Sequence, residues 1–245
     1  MEISNAAVYM LLYFRSNLFN RNTLCTRKEK HSKNTERRIF LIEIKELSKK
    51  YNHHVLFEHF NYTIPDYAFT IIFGTSGCGK TTLLNMIGAL EPVDSGKILV
   101  DGTDITVRRN QKAYLRKRIG FLFQNFALVE NKTVRQNIEL IQKNCRSGVS
   151  VEDALDAVGL LTKANEMVYS LSGGEQQRTA IARLMFKQCD IILADEPTGS
   201  LDRHNADNIV KILHEMNQAK KTVIMVTHDM LYRNAGSHVV ELKTR

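Results

Sequence analysis

The 245-residue chain has no tryptophan, three prolines, four cysteines and no apolar run longer than nine residues. That run, residues 6–14, falls well short of the roughly 20 residues a membrane-spanning helix needs. A role in transport would therefore require a membrane partner. No basic residue precedes the run and no small-residue cleavage site follows it, so it does not read as a secretory signal. Cys25, Cys78, Cys145 and Cys189 lie far apart, and no pair has metal-ligand or redox spacing. The reading is of reduced thiols in a cytosolic protein. Glycine and proline are both absent before Pro65. Residues 15–38 are polar and basic with little periodicity, the pattern of a disordered arm, with a short helix expected over residues 6–14. The net charge of +8 is uneven, because residues 1–38 hold eight Lys/Arg against three Glu. Basicity as a sign of nucleic-acid binding thus concerns mainly this arm.

What is present is ordinary for a globular domain: 43% hydrophobic and 24% charged residues exclude a collagen or a wholly disordered chain. Order is expected from about Leu41, where Ile42 and Ile44 alternate with Glu43 and Lys45 in a half-buried strand pattern. Residues 1–40 form the extension and 41–245 the folded domain. Short apolar runs at 68–73, 119–123, 191–194, 223–226 and 239–242 read as strands. Amphipathic stretches at 80–90, 133–143, 175–187 and 205–217 read as helices, the last with Ile209, Ile212, Leu213 and Met216 on one face. Ser150 with Asp153 resembles a helix cap. Alternation of strands and helices implies an α/β fold around a mostly parallel sheet. Residues 125–178 read as a mostly helical lobe.

Gly74, Thr75, Ser76, Gly77, Cys78, Gly79, Lys80 and Thr81 fit G-x-x-x-x-G-K-[ST], followed by Thr82. The motif follows an apolar strand and opens an amphipathic helix, the context it requires. Its glycines let backbone N–H groups curl round phosphate oxygens, and the helix N-terminus adds donors and partial positive charge. Lys80 is expected to reach the β- and γ-phosphates and the Thr81 hydroxyl to ligate Mg²⁺. Cys78 reads either as a reactive thiol beside Lys80 or as a small loop filler. Residues 191–194 end in Asp195 and Glu196, and ligands in open α/β sheets sit at the carboxyl ends of strands. Asp195 would face the Mg²⁺, and Glu196 could polarise the attacking water. Gln124 and His228 each follow an apolar strand; on position alone each reads more readily as a structural residue than as a member of the same site, where His228 could contact the γ-phosphate.

Residues 171–178 read Leu-Ser-Gly-Gly-Glu-Gln-Gln-Arg, which resembles the signature of the ATP-binding cassette family. The resemblance covers about residues 41–245, with the motifs in the family's order. It implies a P-loop NTPase with a RecA-like sheet, a small antiparallel β-subdomain and a helical subdomain. It implies an ATPase using ATP and Mg²⁺, with Tyr51 stacked on adenine, Gln124 touching Mg²⁺, Glu196 catalytic and His228 at the γ-phosphate. Ser172, Gly173, Gly174 and Glu175 would meet the ATP of a partner cassette. Ser200, Leu201 and Asp202 would form the loop that crosses the dimer interface. The partners implied are a homodimer or pseudo-dimer of cassettes and an integral membrane permease, at the cytoplasmic face of the plasma membrane, with no nucleic acid.

The finer resemblance is to exporter-type cassettes serving lipoprotein release, macrolide export and bacteriocin handling, with residues 183–190 suggesting the bacteriocin branch. Three features depart from the family. Asp66-Tyr67-Ala68 stands where Gly-Glu usually leads into the strand, the basic leader has no counterpart, and the chain stops soon after its last strand. A soluble nucleic-acid-acting cassette would use the basic arm, but such relatives carry tandem cassettes or a long coiled coil. A binding-only module is disfavoured by the intact Glu196 and His228.

Overall fold

The computed structural model describes residues 40–52, 54–199 and 201–243. Of the extension expected over residues 1–40, residues 1–39 lie outside these, with the short helix expected at 6–14, while Phe40 already belongs to a strand. Among the described residues, nine strands form two sheets. The first is antiparallel, in the order β2-β1-β4-β5, from β1 (Phe40–Tyr51), β2 (His54–Pro65), β4 (Ser95–Val100) and β5 (Thr103–Asp104). The second has the order β6-β7-β8-β3-β9, and every pairing in it is parallel. Its strands are β3 (Phe69–Gly74), β6 (Ile119–Leu122), β7 (Ile191–Asp195), β8 (Thr222–Thr227) and β9 (His238–Leu242).

Successive side chains of the parallel strands point to opposite faces, and both faces are covered. Ile191, Leu193, Ile224 and Val226 face helix α1 (Lys80–Ile87) and the antiparallel sheet, where they pack with Leu83, Ile87, Ile42 and Ile98. Ile192, Ala194, Val223 and Met225 face the other way, onto α5 (Gly173–Phe186) and α6 (Arg203–Gln218) through Ile181, Met185, Ile209 and Leu213. This double burial explains the nearly continuous apolar runs of the central strands.

The elements expected within the described residues are present with shifted ends. The first helix stops at Ile87 rather than residue 90, because Gly88 closes it and Ala89 turns left-handed at φ 53°. A side chain at Gly88 would meet the Phe121 ring, with its Cβ only 2.4 Å away, so the ring would have to shift to admit one. The helix expected at 133–143 is shorter, α3 (Val134–Glu139), with Thr133 and Gln136 forming a capping box. It cannot continue, since Arg146 Nε takes the Ile141 carbonyl at 3.1 Å and residues 143–145 form a 3-10 turn. Ser150 caps α4 (Val151–Ala157), accepting from the Asp153 amide at 2.9 Å. One helix has no counterpart among the expected elements: α2 (Arg108–Lys117), where Tyr114 is the buried residue. Its apolar content is too low for periodicity to reveal it.

Candidate nucleotide site

A parallel sheet places the carboxyl ends of its strands along one edge. There the chain leaves β3 at Gly74, β6 just before Gln124, β7 at Asp195 and β8 just before His228. Four stretches far apart in sequence are thereby gathered.

The phosphate loop joins β3 to α1. Gly77 and Gly79 have φ of 81° and 94°, which L side chains rarely adopt. The N-terminus of α1 has no side-chain cap and no acidic residue in its first turn, so its amides remain available to an anion. Lys80 is buried, and its Nζ donates to the Gly74 and Thr75 carbonyls at 2.9 Å each. Thr75 and Ser76 are exposed, as is Thr81, while Thr82 is half-buried. Cys78 is buried, and its sulfur lies so near Gly74 that a Cβ there would come within 2.7 Å. Of its two readings, the burial favours a small loop filler.

Thr81 Oγ1 donates to Asp195 Oδ1 at 2.9 Å, which ties the loop to β7. Burial pushes the Asp195 carboxyl up, and Glu196 adds to this, while the Thr81 bond and Lys80 oppose it. Glu196 is mostly buried, and its Oε1 lies 2.8 Å from His228 Nδ1. Its backbone is unusual, with φ 45° in a non-glycine residue. The Glu196 amide donates to Val226 O at 3.1 Å, and the Gly199 amide closes the turn on Glu196 O at 3.2 Å.

Gln124, Phe126, Gly173, Gln176 and Asp195 line a cleft of about 700 Å³. Tyr51, on β1, is partly exposed; its hydroxyl donates to Glu91 Oε1 at 2.9 Å and Lys49 lies 5.0 Å from its ring centre. The signature opens α5. Ser172 is its N-cap: the Ser172 hydroxyl accepts from the Glu175 amide at 3.4 Å, and Glu175 Oε2 accepts from the Ser172 amide at 2.9 Å. Glu175 also pairs with Lys163 at 2.7 Å. Lys163, with the Ser172 bonds, holds the Glu175 carboxyl down at about 2. Gly173 is exposed and Gly174 lies against Asn205. Among the described residues, no hydrogen bond or ion pair joins these signature residues to the phosphate loop or to Glu196 within one chain. Ser200 lies outside the described residues. Leu201 packs on the core, and Asp202 caps α6 by accepting from the Asn205 amide at 2.9 Å.

Residue-type reasoning had no signal for three further contacts of α5. Arg183 donates to the Phe126 and Ala127 carbonyls at 2.9 and 2.6 Å, holding the loop that carries Gln124. Arg178 bonds Asn205 at 3.1 Å. Gln177 Nε2 donates to Pro197 O at 2.9 Å.

The donor set fits Mg-ATP. Among the described residues no three His, Cys, Asp or Glu side chains cluster as a metal cage. Mg²⁺ is typically held through one or two protein groups plus substrate phosphates; here these would be Thr81 and Asp195, which share a hydrogen bond, with Gln124 lining the same cleft as Asp195.

A phosphate loop, a buried strand-end Asp–Glu pair and a capped signature helix define a nucleotide-binding cassette. Residues 57–199 match the ABC transporter family, and the chain belongs to it, as an ATP-binding cassette of the ATPase class. It is 36% identical over 215 residues to the macrolide export ATP-binding/permease protein MacB of Mannheimia succiniciproducens, covering 83% of this chain and 33% of that protein. The chain thus spans about a third of the length of that relative. It is 35% identical to the ABC transporter ATP-binding protein YxdL of Bacillus subtilis, covering 83% of each. The dimeric structure of the bacterial ABC transporter cassette MJ0796 is 34% identical, covers 83% of this chain and 94% of that one, and superposes with a TM-score of 0.74.

Proposed function

We propose that this chain hydrolyses ATP to power a separate integral membrane permease, and that the cargo is an exported peptide, bacteriocin or other amphipathic compound. One observation carries the hydrolytic part: at adjacent positions on one strand end, Asp195 is bonded to the loop's Thr81 and Glu196 to His228. Bound Mg²⁺ supplies charge neutralisation on the β- and γ-phosphates. Lys80 and the α1 amides orient those phosphates. Glu196 accepts the proton of the attacking water, and His228 holds the carboxylate in place through Nδ1. Two cassettes pair so that Ser172 and Gly173 of one approach the ATP on the phosphate loop of the other; pairing itself is supported by the resemblance to the MJ0796 cassette, whose structure is dimeric. Export is supported by the resemblance to MacB, whose name joins ATP binding to a permease for macrolide export. A separate permease is supported by the resemblance to YxdL, which is named an ABC transporter ATP-binding protein and is matched over 83% of its length. The cassette would then sit at the cytoplasmic face of the plasma membrane through that subunit.

Glu196→Gln tests the assignment. Loss of a general base lowers turnover by about 10²–10⁴-fold, whereas ATP binding survives and the ATP-bound dimer accumulates. Steady-state phosphate release and size-exclusion chromatography with ATP measure the two. Turnover within twofold of the native chain would remove Glu196 from the mechanism.

A further inference from the structure

The helix that begins with the signature meets the turn that carries Glu196 at a buried amide. Gln177 is fully buried, and its Nε2 donates to the carbonyl of Pro197, the residue after Glu196. Its Oε1 is buried as well and has no hydrogen-bond partner among the described residues. A buried acceptor without a donor is destabilising, and an apolar side chain of similar volume would avoid that cost. The chain keeps a polar group here for the one bond it makes.

That bond falls where holding is needed. Glu196 sits at φ 45°, a conformation non-glycine residues keep only when their surroundings over-determine it. The Val226 carbonyl and the Gly199 amide fix the turn from the sheet side and from within. Gln177 fixes it from the helix side, and the ring of Pro197 stiffens the link back to Glu196 by locking φ. Five residues towards the N-terminus, about 7.5 Å along a rigid helix, the same α5 ends in Ser172 and exposed Gly173.

We propose that Gln177 is a positioning residue that couples the signature of a chain to its own catalytic glutamate. This rests on the shared-site dimer proposed above. In that dimer the signature of one chain meets the ATP on its partner's loop, while Glu196 acts on the ATP of its own loop. Seating α5 at one site then sets Glu196 at the other, through Gln177 and Pro197.

Gln177→Leu and Gln177→Met remove the amide while filling its space. The full chain is assayed for turnover across ATP concentrations and for melting temperature. Both substitutions are also placed in the Glu196→Gln background and assayed for ATP-dependent dimerisation. The expected result is kcat down at least tenfold and a Hill coefficient falling towards 1. The KM for ATP, the dimer and the melting temperature should hold, or the last should rise. An unchanged kcat or an unchanged Hill coefficient overturns the proposal. So does a melting temperature or dimer yield that falls in step with kcat, or failure of both variants to fold, since the amide is then a structural group. Failure of the shared-site reading is seen separately, as no ATP-dependent dimer from the Glu196→Gln chain with Gln177 intact.

Discussion

Tyr67 shows how a single residue departs from the family pattern without touching the chemistry. It stands just before β3 at φ 58°, where a side chain costs about 1–2 kcal/mol relative to glycine. The turn keeps it because the Tyr67 amide has two acceptors, Asp66 Oδ1 at 3.1 Å and Thr222 Oγ1 at 2.9 Å, and Lys220 lies 5.5 Å from the ring centre. Local bonds thus hold the turn at Asp66-Tyr67-Ala68 in place. A paired substitution isolates the backbone contribution, because Tyr67→Gly and Tyr67→Ala both lose the ring and differ only in Cβ. At ordinary positions alanine is favoured over glycine by about 0.5–1 kcal/mol. Here the order should reverse, with the glycine variant more stable by about 0.5–1 kcal/mol. Urea unfolding of the two variants decides it, and alanine at or above glycine would contradict a left-handed Tyr67.

Helix α5 concentrates the functional contacts of the fold at the scale of one element. It starts from a capping box, carries Gln177 and Arg178 to the Pro197–Asn205 stretch, and ends near the loop gripped by Arg183. Its start is readable from the sequence, since Ser172 followed three residues later by Glu175 is a capping signature. Its internal contacts are not, because periodicity reports which face is buried and not what that face touches. The same limit hides Lys163, which reaches Glu175 from twelve residues away in the chain. Glu175 gives this cap a pH signature. Its folded pKa, about 2, lies below the ordinary 4.5, so its contribution is fully present above about pH 4.5 and is lost as pH falls through about 2. Glu175→Gln can still accept from the Ser172 amide but no longer titrates. Denaturant midpoints between pH 5 and pH 2 should therefore fall less steeply in the variant than in the native chain. Parallel slopes would place the Lys163–Glu175 contact outside the stability of the cap.

The whole molecule is legible where its order follows from the sheet. Apolar strands alternating with helices imply parallel pairing, and parallel pairing puts Gly74, Gln124, Asp195 and His228 along one edge before any coordinate is known. The antiparallel sheet is less legible, because Ile42 and Ile44 mark β1 while the partner strands β2 and β4 are broken by bulges and exposed residues. What one chain does not bring together is also informative. Ser172 and Glu175 bond each other and Glu175 also pairs with Lys163, while Lys80 bonds its own loop. The proposed dimer joins them across two chains, and that geometry has a distinctive consequence. Lys80→Ala disables both sites of a homodimer, and Ser172→Arg does the same. In a mixed dimer of these two chains, one site carries both lesions and the other pairs an intact Lys80 with an intact partner Ser172. ATP-dependent dimerisation and a single round of hydrolysis should then partly return on mixing, towards half the native single-turnover amplitude in each heterodimer. If Lys80 and Ser172 acted within one chain, every site would keep a lesion and mixing would restore nothing. Single-turnover measurement is the right readout, because continuous cycling draws on both sites. Heterodimers shown to form, yet silent in that assay, would rule out the shared site.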